Sequence, residues 1–221
     1  MTTEDLMRAV RAAIRTTPDA KAPKTARDAQ TRAALAARRA GTVLVEAIPA
    51  MGRTEVSQAV YETVHAVNQY ALNVARRMQE NRAAAYGEES LGVAEPAFNA
   101  ARARNLVSFA DTLMDADGAM TEMQSDALLD TIEQNARMCV DDAERDLADA
   151  RYNMGKRAVI VRTAMGANSC EWCLSAAGEY EYGPAMDKAM AFGRHANCDC
   201  VIEYQPGDGR VETVRNYRRG G

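Results

Sequence analysis

At 221 residues the chain can bury a core of its own, as one large domain or as a large and a small one, without covalent staples. A formal net charge of −4 with 47% hydrophobic residues excludes a generally basic nucleic-acid binder, and aromatics are scarce at 5%. The opening MTTEDLMRAVRAAIRTT has no long apolar run or small-residue cleavage site, and no stretch reaches about 18 uncharged apolar residues, so neither secretion nor a membrane span is expected.

Helical periodicity governs the first two-thirds. A short helix is expected over 3–16, ending before Pro18, and another over 26–40, ending at Gly41. Val56, Val60, Val64, Val67, Ala71, Val74 and Met78 recur at steps of three and four, one stripe of a long amphipathic helix with Thr54 and Glu55 at its start and Gly87 as its stop. A helix over 97–115 opens after Pro96 and closes near Gly118. A second long one, from Thr121 to Asn153, carries Leu128, Ile132, Ala136, Cys139, Ala143, Leu147 and Ala150 on one face.

After Gly155 the pattern changes. RAVIVRTA is β-branched, EYEYG and CVIEY alternate, and RVETV follows the turn signal PGDG, which together predict four short strands. The expected fold class is α+β, mostly α: an elongated bundle of long helices over 1–155, then a small β-containing module over 156–221 that ends in the basic tail NYRRGG. Residues 1–50 form a mildly basic arm, nine Lys/Arg against five Asp/Glu, whereas 86–150 hold fifteen Asp/Glu against four Arg. Such runs are the pattern of solvated helix faces and also of a polar assembly.

Four of the five cysteines and one of the two histidines fall between Cys170 and Cys200. Without a sign of secretion, clustered cysteines read as metal ligands before disulfides. Cys170-Glu-Trp-Cys173 has the spacing that lets two thiolates of one turn face a tetrahedral ion, and His195, Cys198 and Cys200 supply three more candidates. Zinc takes four ligands, so one of the five is a spare or an outer partner, and which one is left open. If extended, Cys198 and Cys200 point to the same side of a strand. A module of about 65 residues with few large apolar side chains is short of core, and a structural Zn2+ could contribute about 10–16 kcal/mol of apparent binding free energy.

Other readings are weaker. A dithiol–disulfide pair at Cys170 and Cys173 usually sits in a βαβ pattern, which is absent, and a third reading packs free thiols beneath the sheet. Trp172 reads as a local packing anchor, Cys139 as a core residue, and His65 as a structural or exposed histidine. No catalytic residues are nominated: a histidine bound to zinc cannot also act as a base, and adjacent Asp141 and Asp142 point about 100° apart on a helix.

The run AVIVRTAMGANSCEWCLSAAGEYEY, followed by FGRHANCDCVIEYQPG, resembles the C-terminal region of phage Mu F-like minor head proteins, also called phage head morphogenesis proteins. The resemblance covers roughly residues 157–207 and rests on the Cys-x-x-Cys, on Ala177-Gly178 after it, and above all on His195-x-Asn197-Cys198-x-Cys200. Ala196 and Asp199 stand where that family commonly has proline and arginine. It implies a minor structural protein of a tailed-phage head, in the head interior or at the portal vertex, incorporated during procapsid assembly in the host cytoplasm. Portal and capsid proteins are the implied partners, with packaged DNA for some relatives, and ring-associated copies or a homo-oligomer are the implied arrangement. It also implies Cys170, Cys173, His195, Cys198 and Cys200 as the metal-binding or fold-defining set. The competing class is a zinc-containing nucleic-acid binder using Arg8, Arg11, Arg15, Arg38, Arg39, Arg215, Arg218 and Arg219, with a thiol oxidoreductase as a third.

Overall fold

A computed structural model describes residues 2–17, 23–86, 99–115, 118–166, 169–195 and 198–206. The chain is mostly helical, with a small antiparallel sheet near its C-terminal end, an α+β architecture. Five helices come first: α1 (Thr3–Arg15), α2 (Ala26–Ala47), α3 (Arg53–Tyr86), α4 (Ala100–Leu113) and α5 (Glu122–Asn153). Strands β1 (Ala158–Thr163), β2 (Gly178–Glu181) and β3 (Val201–Pro206) follow, with one-turn helices α6 (Glu171–Ser175) and α7 (Lys188–Phe192) between them.

The long helices bury the faces their periodicity marks. Every residue of the Val56-to-Met78 stripe is buried, and on α5 the stripe is buried from Leu128 to Leu147. Caps set the ends. Thr121 caps α5 in a reciprocal box with Gln124, Thr2 caps α1, and Asn99 caps α4 by accepting from the Arg102 N–H at 2.9 Å. Gly155, at φ +71°, takes the left-handed turn that ends α5.

Three boundaries differ from expectation; the first is that α4 begins at Ala100, after the Asn99 cap, and not at 97. Helix α2 does not stop at Gly41 but continues to Ala47, because Gly41 lies where α2 crosses α5: a Cβ there would come within 2.7 Å of Leu129 Cδ2. The glycine serves close approach, and burial of Leu44 and Ala47 carries the helix onward. Helix α3 begins at Arg53, with Thr54 inside its first turn, since the Glu55 carboxylate reaches back to accept from the Gly52 N–H at 3.0 Å. The Gly87 stop and the RVETV strand lie outside the described residues.

The sheet order is β2-β1-β3, both pairs antiparallel, with Ile160 opposite Tyr180 on one side and Tyr204 on the other. Strand β1 alternates buried and half-buried, so Ala158, Ile160 and Arg162 share the inward face. Strand β3 does not keep the expected alternation; Val201 to Tyr204 are all buried. Ile202 and Tyr204 join Ile160, Tyr182 and Ala191 in a small core completed by Leu147 and Ala148 of α5, whereas Val201 packs into the core of the helices. The sheet thus borrows apolar surface from α5.

The open edge of β3 is closed by side chains from three helices. Gln30 of α2 donates to the Ile202 carbonyl at 3.2 Å, Arg82 of α3 donates to the Tyr204 carbonyl at 3.3 Å, and Glu144 of α5 accepts from the Tyr204 N–H at 2.6 Å. Buried strand-edge groups need partners, and these replace a fourth strand. Arg82 also bridges Glu144 and Glu203, each at 2.9 Å, in full burial. Among the described residues, no helix is long and apolar enough to cross a membrane.

Candidate metal centre

Cys170 is the N-cap of α6, and its sulfur accepts from the Cys173 N–H at 3.4 Å. That bond holds the Cys170 thiol below its usual range, because the N–H stabilises the thiolate. One turn of helix then places the Cys173 sulfur on the same side. His195 follows α7 and Gly193, and its Nε2 lies 3.2 Å from Cys170 Sγ and 2.8 Å from Cys173 Sγ. Cys198 and Cys200, leading into β3, close the cluster from the other side, with Cys198 Sγ 3.8 Å from Cys173 Sγ. All five expected residues are brought together: Cys170, Cys173 and His195 form one group, Cys173, Cys198 and Cys200 another, and Cys173 is common to both.

The donor set fits a metal. All five cysteines of the chain are free thiols. A tetrahedron with metal–sulfur bonds near 2.3 Å has sulfur–sulfur edges of about 3.8 Å, the separation of Cys173 and Cys198. Hydrogen bonding from Cys200, with Arg194 nearby, pulls the Cys198 thiol well below its ordinary value, while donating that bond pushes Cys200 up. Burial raises Cys173.

Three residues around the cluster were not nominated from the sequence as parts of the centre. Arg162, the third inward residue of β1, is 1% exposed, and its Nη2 lies 3.8 Å from Cys198 Sγ. Arg194 also lies 3.8 Å from that sulfur, donates to the Cys198 carbonyl at 3.3 Å, and holds Asp141 of α5 through both carboxylate oxygens. Gln134 of α5 donates to the same Cys198 carbonyl at 3.3 Å. Period two carries the signal for Arg162: the register that buries Ala158 and Ile160 buries it too. No local pattern marks Arg194 or Asp141, which are 53 residues apart.

Trp172 packs locally, 37% exposed, with its ring edge-on to His195 at 5.6 Å and the Arg162 guanidinium 4.6 Å from its centroid. Gly193 completes the arrangement: its carbonyl accepts from Arg162 at 2.6 Å, and a Cβ there would fall 2.4 Å from the Ala189 carbonyl oxygen. Gly193→Ala is therefore expected to destabilise the protein by about 1–3 kcal/mol, read as a lower urea midpoint at unchanged m-value.

Cys139 stands apart, buried on α5, with its thiol pushed up to about 12 by burial. At pH 8 its alkylation by iodoacetamide in the folded protein is expected to be at least about a thousandfold slower than in denaturant. Peptide mass spectrometry would read this, and rapid labelling of folded protein would contradict it. His65 is exposed on α3. Of the basic candidates, Arg8 pairs with Glu4 and Asp5, Arg38 with Asp130 and Glu133, and Arg39 donates to the Thr16 carbonyl. Arg215, Arg218 and Arg219 lie outside the described residues.

Compared with known proteins, the chain matches no family model, no curated protein and no solved structure.

Proposed function

We propose that this chain is a structural minor head protein of a tailed bacteriophage or prophage, associated with the portal or head interior, in which a structural Zn2+ organises the C-terminal module. The observation that carries the reading is the convergence of Cys170, Cys173, His195, Cys198 and Cys200, the set its family resemblance nominates, into one cluster seated on a helical bundle. Thiolate and imidazole donors suit zinc above hard cations, and zinc needs no open coordination position when its role is structural.

The arrangement supports a scaffold. The helices supply a shaft, and contacts from α2, α3 and α5 to β3 seat the metal-bearing module on it. Co-expression with a cognate portal protein tests the assembly role: stable co-purification is expected, and a well-behaved monomer indifferent to portal and procapsids would refute it. Elemental analysis of protein purified without chelator is expected to give about one zinc per chain; copper or iron in its place, or no metal, would remove the zinc assignment.

A further inference from the structure

Arg162 poses a charge problem. It is buried on the inward face of β1, where its Nη1 donates to the Met190 and Gly193 carbonyls at 3.0 and 2.6 Å and its guanidinium lies over the Trp172 ring. Carbonyls and a ring carry no net charge, and among the described residues the buried Arg162 Nε has no hydrogen-bond partner. A guanidinium stays protonated, and a buried cation without a counter-charge is strongly disfavoured. Among the described residues no carboxylate pairs with Arg162, and the neighbouring Arg194 is neutralised by Asp141. The anionic candidate that faces Arg162 is the sulfur cluster, reached at Cys198 Sγ.

Resting on the zinc reading above, we propose that Arg162 is the resident counter-cation of an anionic metal–thiolate centre, and that this centre is built from three thiolates and one imidazole. A divalent ion with three thiolates and a neutral imidazole carries one negative charge, which Arg162 offsets. Two thiolates would leave Arg162 uncompensated, and four would leave a buried negative charge unmatched. Cys170 and Cys173 close on His195, and Cys198 faces both guanidinium groups, so these three are the thiolates. Cys198 and Cys200 both group with Cys173 and neither with His195; Cys198 is the one that lies 3.8 Å from both Arg162 and Arg194, which leaves Cys200 as the sulfur outside the shell. Arg162 is thus a positioning residue, setting the charge the centre must carry.

Cobalt(II) bound to the full-length reduced protein is the test, since its tetrahedral absorption bands and its sulfur-to-metal charge transfer report the site directly. Arg162→Met is expected to weaken Co2+ binding by about 10- to 100-fold in competition with a chelator, and Arg162→Lys, which keeps the charge, to recover most of that loss. Cys198→Ser is expected to lose roughly a third of the charge-transfer intensity, one thiolate of three, while Cys200→Ser keeps all of it. Equal affinity in Arg162→Met and wild type overturns the proposal, as does the same intensity loss in both serine variants. Should Arg162→Met fail to fold, the two serine variants decide alone. A wild type that shows no tetrahedral thiolate spectrum overturns the zinc reading itself, and the counter-cation with it.

Discussion

Chelating the metal from fully reduced protein is expected to unfold the segment between Cys170 and Cys200 while α3 and α5 stay helical. Helices α6 and α7 have five residues each, far below the length at which a helix persists unaided. Around Cys173, Cys198 and Cys200 the apolar packing is small: among the described residues, half-buried Ala164 is the hydrophobic side chain that joins them. A structural zinc could contribute about 10–16 kcal/mol of apparent binding free energy, comparable to a whole domain's usual stability of about 5–15 kcal/mol. The helices keep their own core, from Leu6 through Val60 and Ala71 to Ile132, which owes nothing to the cluster. Cys173→Ser should reproduce the effect most completely, because Cys173 belongs to both groups of candidate ligands. Hydrogen exchange followed by mass spectrometry reads both cases: protection should vanish over 169–195 and persist over α3 and α5. Unchanged protection in metal-free protein would remove the structural role assigned to the ion.

Arg82→Met is expected to destabilise the whole fold by about 3–5 kcal/mol, close to the largest single-residue effect the chain can show. Arg82 is the shared cation of Glu144 on α5 and Glu203 on β3, all three fully or nearly fully buried. Removing it leaves two carboxylates facing each other without water, and it also removes the donor to the Tyr204 carbonyl. The effect should fall mainly on the seam between sheet and bundle. Adding Glu144→Gln and Glu203→Gln to Arg82→Met should recover a large part of the loss, since neutral amides leave no buried charge unpaired. Urea unfolding followed by circular dichroism gives the numbers; a loss below about 1 kcal/mol for Arg82→Met would show that the network contributes no more than a surface pair.

Where a structural feature depended on local chemistry, it was legible in the residues. The stripes on α3 and α5 predicted which residues are buried, the periodic run from Thr121 to Asn153 predicted the extent of α5 to within a residue, and the change of grammar after Gly155 predicted β1, β2 and β3. Gly41 misled because a glycine within a helical pattern can mark either a stop or a close crossing, and only the position of Leu129 distinguishes them. Glu203 and Glu144 look like ordinary solvated acids in a strand and in an acidic helix, yet both are buried against Arg82. Nothing within ten residues of either carboxylate announces a partner that lies 62 or 121 positions away.

The same division runs through the metal centre. Residue type and spacing alone picked out the five candidate donors and the zinc-like chemistry they suggest, because thiolate and imidazole preferences are properties of the side chains and a Cys-x-x-Cys turn is a local geometry. Only the tertiary structure decided that Cys173 is the shared member, that Arg162 and Arg194 both face Cys198, and that Asp141 ties the cluster to α5. The physical reason is range: periodicity and capping act within a few residues, whereas a buried charge is balanced by whichever group the fold brings to it, however distant along the chain.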